Sequence, residues 1–254
     1  MPDLLTNKVA IITGSARGLG RAVAEAYISE GAKVIISDVD AGLAEATANE
    51  IGAAGSRACD VREPGQVEAL VQSTVDEHGG LDIMVPNAGV ATMAPIVQMS
   101  YEQWRETTSV NLDGVFLSIR YAAPAMIASG GGVIVNICSI TALAGCPLIA
   151  NYAAAKAGVL SLTQTAAVEL RSHGVRVNAI LPGFIGTDMV NDRKKVFEEM
   201  LGLPDFDALI VQKQGRYGEP AEVGRLAVFL ASDRSRFATG CGYVLDGGAR
   251  ASLL

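Results

Sequence analysis

Tyr152 and Lys156 stand four residues apart in NYAAAKAG (151–158), a stretch otherwise built almost wholly of alanine and glycine. Residues i and i+4 share one face of a helix, so this spacing can bring an ammonium beside a phenol. A tyrosine has a reference pKa near 10, and accepting a proton near pH 7 requires lowering it by about three units, or roughly 4 kcal/mol. One ammonium at about 5 Å contributes on the order of 3 kcal/mol at an effective dielectric of about 20. The pair therefore has most of what general acid–base work on a hydroxyl or a carbonyl needs. Ser139 closes the apolar run GVIVNICS (132–139), 13 residues before Tyr152, and a loop of that length can return to the same place. Its hydroxyl can donate to a substrate oxygen as negative charge gathers there.

A second constellation lies near the N-terminus. The run KVAII (8–12) leads into TGSARGLG (13–20), where Gly14, Gly18 and Gly20 follow the spacing GxxxGxG. Glycines there let the backbone turn sharply and approach a pyrophosphate, which then rests on the N-terminus of the following helix. Asp38 ends the next apolar run, 18 positions after Gly20. This is close to the offset at which a carboxylate accepts from the ribose hydroxyls of a dinucleotide. A carboxylate at that point repels a 2′-phosphate, so NAD is expected and NADP is less favoured, although Arg17 inside the turn pulls the other way.

The elements that must hold these groups can be read from periodicity. KVAII (8–12), KVIIS (33–37), SRACD (56–60), LDIMVPN (81–87), GVIVNICS (132–139), VRVNAIL (175–181) and CGYVLDG (241–247) read as strands. Helical patterns fall between them, near 18–30, 41–51, 64–78, 101–128, 152–172 and 220–231. Such alternation predicts an α/β fold, a single doubly wound parallel sheet of about seven strands in a Rossmann-type domain spanning 1–254, with helices on both faces. Right-handed crossovers place the strand C-terminal ends, and the ligand, along one edge. Residues 184–219 depart from the alternation and are read as an irregular flap over the site. Asn111, inside the long helical stretch 101–128, is expected to disturb that helix.

Composition removes other classes. The 254 residues are half apolar with a formal net charge of −7, which disfavours a nucleic-acid partner. Both histidines, His78 and His173, precede a glycine at a helix end and read as C-caps, which excludes Ser-His-Asp chemistry. Four scattered cysteines without a CxxC pair argue against a metal site or a disulfide framework and suit reduced thiols in a cytoplasmic protein. No leader is expected at the N-terminus. Residues 121–155 carry no charge, but glycines, Pro147 and polar residues break the stretch before it could span a membrane.

With these residues in hand, the sequence resembles the short-chain dehydrogenase/reductases over nearly its whole length. The resemblance rests on TGSARGLG (13–20), Asp60-Val61, NAG (87–89), Asn111, Ser139, YAAAK (152–156), PGFIGT (182–187) and LDGG (245–248), in that family's order. Pro86, where an asparagine is common, is a small departure. The resemblance implies a catalytic tetrad of Asn111, Ser139, Tyr152 and Lys156, with Asn111 holding a water that links Lys156 to solvent. It implies a cofactor site of Gly14, Ser15, Arg17, Gly18, Leu19, Gly20, Asp38, Asp60, Val61, Asn87, Ala88, Gly89, Tyr152, Lys156, Pro182, Gly183, Ile185 and Thr187. Asp60 would meet the adenine amino group, and the residues from Pro182 onward the nicotinamide end. The positive ring of oxidised NAD would complete the lowering of the tyrosine pKa. Cys146, Leu148, Phe184 and Met189 are expected to line a mainly apolar substrate pocket together with Val90 and Ile140, and Lys194 or Lys195 could reach in from the flap.

The implied activity is hydride transfer between nicotinamide and a small-molecule secondary alcohol or ketone. A 3-oxoacyl-[acyl-carrier-protein] reductase of NADPH type is the alternative. An intact tetrad argues against a non-catalytic cofactor sensor. A homotetramer, packed through helices 101–128 and 152–172 and the C-terminal segment, is expected from the resemblance.

Overall fold

In the computed structural model, residues 3–251 are described, so the two ends of the 1–254 span, including the last three residues of the C-terminal segment, lie outside the described residues. In chain order, β1 (Val9–Thr13), α1 (Gly18–Ser29), β2 (Lys33–Asp38), α2 (Ala41–Ile51), β3 (Gly55–Ala58), α3 (Pro64–His78) and β4 (Ile83–Val85) make the first half. Next come α4 (Tyr101–Thr108), a π turn (Ser109–Asp113), α5 (Gly114–Ala128), β5 (Gly132–Ile137), α6 (Ala150–Leu170) and β6 (Val175–Pro182). The chain closes with α7 (Asp188–Asn191), α8 (Lys194–Leu201), α9 (Phe206–Gln214), α10 (Pro220–Ala231) and β7 (Gly242–Leu245). Each expected strand is present; β4 and β7 are the most shortened, to Ile83–Val85 and Gly242–Leu245, while β2 and β6 each run one residue longer than the apolar pattern.

All seven strands run parallel in the order β3-β2-β1-β4-β5-β6-β7. β1 is buried at every position because parallel strands covered on both sides have no wet face. Its side chains alternate between two cores. Ile11 joins Ile35, Val67, Leu70, Met84, Val115 and Val159 on one face. Ala10 and Ile12 join Val23, Tyr27, Val34, Ile36 and Val223 on the other.

Local signals set the helix ends. Asp40 caps α2 by accepting from the Leu43 amide, and Ser100 with Gln103 forms a capping box on α4. Pro64 and Pro220 open α3 and α10. His78 and His173 precede Gly79 and Gly174, both left-handed at φ 82° and 74°, as their C-cap reading requires. The 101–128 stretch is broken by the π turn that contains Asn111. The outward sides of α5 and α6 leave Phe116, Ile127 and Val168 exposed.

The flap is more ordered than its sequence suggests. Residues 184–219 form three short helices around a small core of their own, Phe197, Phe206 and Ile210 with Leu148. Phe206 lies edge-on to Phe184 at 5.5 Å and stacks on Phe197 at 4.9 Å. No described helix is long and apolar enough to cross a membrane.

α1 and α10 pack where Gly224 faces Ala22, and a Cβ on Gly224 would stand 2.8 Å from the Ala22 carbonyl oxygen. Gly224→Ala should therefore force the helices apart and cost about 1–3 kcal/mol, read as a lower midpoint in denaturant unfolding.

Candidate active site

The sheet reverses its winding between β1 and β4, and the loops leaving those strands part to open a cleft of about 520 Å³. At one end lies the turn into α1. Gly14 and Gly18 hold φ of +61° and +59°, which a side chain resists. Nothing lies within 4 Å of where a Gly18 Cβ would be. α1 carries no side-chain N-cap and no acidic residue in its first turn, so its leading amides face the cleft without a protein partner. That is the chemistry an anion such as a pyrophosphate fits.

Arg17, Gly18, Leu19 and Asp38 line the same end, with Asp60 and Val61 beyond. Asp38 accepts from the Ala16 and Asp40 amides at 3.3 Å each, which aims its carboxylate from the end of β2. Asp60 stands on the wall, yet Arg62 reaches both of its oxygens through Nε at 2.9 and 3.0 Å and donates to Oδ1 through its main chain at 3.0 Å. This pair holds the Asp60 carboxyl below its usual range. An adenine amino group would have to share those acceptors with Arg62.

Two expected contact residues do not reach the cleft. Ser15 is wholly buried, its hydroxyl donating to the Ile12 carbonyl at 2.7 Å and accepting from the Ser37 amide at 3.0 Å. Gly20 sits beneath the turn, where a Cβ would stand 2.5 Å from Asn87 Nδ2. Both shape the turn from beneath. Asn87 sews the floor: Nδ2 donates to the Thr13 and Gly14 carbonyls at 2.9 and 2.8 Å, and the Asn87 and Ala88 amides donate to Thr13 Oγ1.

At the other end, the structure brings Ser139, Tyr152 and Lys156 onto one wall with Pro182, Gly183, Ile185 and Thr187. Lys156 is buried and donates to the Ile137 carbonyl at 2.8 Å, with Nζ 5.5 Å from the Tyr152 ring centre. Burial lowers its pKa. The Tyr152 phenol is pushed up to about 12, chiefly by burial and secondarily by the Cys138 thiol, while the Ser139 hydroxyl and Arg193 draw it down. Cys138 is itself raised by burial and donates to the Lys156 carbonyl.

Asn111 is fully buried and is bonded through its amide to one residue: Oδ1 accepts from the Val90 amide at 3.0 Å and Nδ2 donates to the Val90 carbonyl at 2.6 Å. These bonds fasten the side chain to Val90, and the i→i+5 bonding of the π turn puts the helical ladder out of step at that point.

The apolar pocket is corrected in part. Met189 and Val90 line the cleft, whereas Cys146, Leu148 and Phe184 turn away into the flap core beside Phe197, Phe206 and Ile210. Lys194 also turns away, paired with Asp207 at 2.8 Å and lying 4.6 Å over the Tyr217 ring. Arg193 enters the cleft in place of the two lysines, with Glu106, Asp188 and Asp192 on the same wall. Gln214 was not foreseen either. Buried, it accepts from the Phe184 amide and donates to the Phe184 and Arg216 carbonyls, fixing the turn after β6. Neither residue carries a local signal, since both act across the chain. Among the described residues no His, Cys, Asp and Glu group could hold a metal ion.

Comparison with known proteins finds relatives over nearly the full length of the chain. Residues 14–250 match the family model described as Enoyl-(Acyl carrier protein) reductase. The chain is 37% identical to a cyclohexanol dehydrogenase of Acinetobacter sp. (strain SE19), covering 97% of this chain and 96% of that one. It is 37% identical to the 3-oxoacyl-[acyl-carrier-protein] reductase FabG of Thermotoga maritima, covering 96% and 98%. The crystal structure of a gluconate 5-dehydrogenase from Burkholderia cenocepacia J2315, in complex with NADP and tartrate, superposes with a TM-score of 0.91 at 32% identity, covering 99% of this chain and 98% of that one.

A Cβ on Gly89 would stand 2.7 Å from Asn111 Oδ1. Gly89→Ala should break the Asn111–Val90 pair and destabilise the fold by about 1–3 kcal/mol, measured by thermal or denaturant unfolding.

Proposed function

Since the chain belongs to the short-chain dehydrogenase/reductase family, oxidoreductases acting on CH–OH groups, we propose that it is an NAD(H)-dependent dehydrogenase of secondary alcohols and the matching ketones, with alicyclic alcohols as the substrate class. The observation that carries this reading is the single cleft with Asp38 at one end and Ser139, Tyr152 and Lys156 at the other. The alicyclic class is supported by the cyclohexanol dehydrogenase relative and by Val90, Val110, Met189 and Val190 on the wall.

The residues fit the cofactor, with the first turn of α1 and Gly18 receiving the pyrophosphate and Asp38 the ribose. When bound, the cofactor supplies the hydride donor or acceptor. The chain supplies the rest. Ser139 donates to the substrate oxygen and holds the carbinol carbon in place. Tyr152 takes the hydroxyl proton in oxidation and returns it in reduction. Lys156, held by the Ile137 carbonyl, keeps a cation one turn along α6.

Two outcomes are expected. NADH should bind about tenfold or more tightly than NADPH in a fluorescence titration, because a 2′-phosphate beside Asp38 costs on the order of 1.4 kcal/mol or more, and Asp38→Ser should erase the difference. Tighter NADPH binding would instead favour the 3-oxoacyl-[acyl-carrier-protein] reductase reading that the Thermotoga maritima relative supports. Tyr152→Phe should lower turnover by about 10²–10⁴ while leaving NADH affinity nearly intact, and turnover retained in that variant would overturn the mechanism.

A further inference from the structure

We propose that Arg193 is a positioning residue of the substrate compartment: it fastens the helical flap to the backbone of residues 90–94 and fixes a positive charge on the phenol side of the cleft. The inference deepens the reading of Tyr152 as the acid/base and rests on it for its kinetic part.

Residues 90–94 form an irregular segment whose polar groups are claimed, one after another, by the elements around the site. Val90 bonds through both backbone groups to Asn111 of the π turn. Thr92 Oγ1 donates to the Gln103 carbonyl of α4 and accepts from Asn151 Nδ2, one residue before Tyr152. The Ala94 amide donates to the Leu148 carbonyl. Between them, the Ala91 carbonyl takes two bonds from Arg193, from Nε at 3.1 Å and Nη2 at 2.7 Å. Nη1 donates at 2.7 Å to the Met189 carbonyl of α7. One guanidinium therefore ties α7 and the start of α8 to the segment that also positions Asn111 and Asn151. The planar fork makes this possible, because a lysine cannot present two donors to one oxygen and a third at a fixed angle to another.

The three bonds end on neutral carbonyls, and among the described residues no carboxylate forms an ion pair with Arg193. Several groups act on Tyr152. They are Lys156 on its own helix, Cys138 and Ser139 at the end of β5, Cys146 from the loop after it, and Arg193 from the flap. Glu106 of α4 and Asp188 and Asp192 of the flap share the cleft wall. Burial dominates and raises the phenol and the two thiols add to it, while the Ser139 hydroxyl and, less strongly, Arg193 oppose it. A cation beside a phenol favours phenolate, so removing it raises the pKa and moves the rising limb of alcohol oxidation to higher pH.

The test compares wild type, R193M and R193K in steady-state alcohol oxidation across pH, in NADH titrations, and in backbone hydrogen exchange of the cofactor-free protein. R193M should raise KM for the alcohol by about tenfold or more and move the rising limb to higher pH. R193K should show the raised KM with the limb unmoved. Both should keep wild-type NADH affinity and exchange faster at 90–94 and 188–201. Unchanged KM and pH midpoint in R193M, or unchanged exchange in both variants, would overturn the proposal. A wild type that turns over no alcohol would refute the function proposed above, and exchange would still decide whether Arg193 is the fastening. Should R193M not fold, R193K carries the KM and exchange arms.

Discussion

The site hangs on the place where β1 and β4 lie side by side and their following loops diverge. Divergence opens a crevice, but it also strands main-chain groups that neither departing helix can satisfy. The Asn87 amide answers this by donating to the Thr13 and Gly14 carbonyls, while Thr13 Oγ1 accepts from two amides of the opposite loop. The loops are sewn so closely that a Cβ at Gly14 would stand 2.7 Å from Ala88 Cα. The glycines of the turn are therefore needed twice, for a conformation facing the ligand and for contact with the loop behind. A floor made of main chain held by short bonds has little freedom to move, which is what an anion site relying on fixed amide dipoles requires.

Electrostatics is less settled by the local sequence. From an ordinary phenol, reaching neutrality requires about three pH units, but from about 12 it requires about five, or on the order of 7 kcal/mol. Lys156 at 5.5 Å from the ring supplies on the order of 3 kcal/mol at an effective dielectric of about 20, and its own burial works against its charge. The protein alone thus leaves the proton on Tyr152. That form is ready to donate to a ketone oxygen, and alcohol oxidation depends on every further positive charge gathered around the phenol.

How much of this could be read in the chain follows from the reach of each signal. The seven strands were legible because apolar runs between glycine and proline breaks are local, as were the C-caps at Gly79 and Gly174. Spacing picks out Tyr152 and Lys156, the resemblance adds their place in a tetrad with Ser139, and the structure brings the three to one wall. The flap was not legible: α7, α8 and α9 have four, eight and nine residues, too few turns for a period to stand out. With no partner visible for Cys146, Leu148 and Phe184, the cleft was the only apolar place to put them. Of the run Arg193, Lys194 and Lys195, the phase of a single helical turn decides which cation enters the site. Lys194 goes to Asp207 instead.

The two ends of the cleft are therefore built on different principles. The cofactor end is shaped by main chain and by glycines that cannot carry a side chain, so substitution there strikes the fold itself. The substrate end is closed by a small helical cap whose aromatic core lies behind the wall and whose polar tie to the 90–94 segment is one arginine. Side chains on that cap can change without disturbing the sheet, because its apolar residues pack mainly among themselves. Relatives described as acting on cyclohexanol and on 3-oxoacyl carrier proteins can then align over nearly the full length of this chain. What separates substrates on such a scaffold is where the cap holds its cleft-facing residues, here Asp188, Met189, Val190, Asp192 and Arg193, relative to a phenol that stays in place.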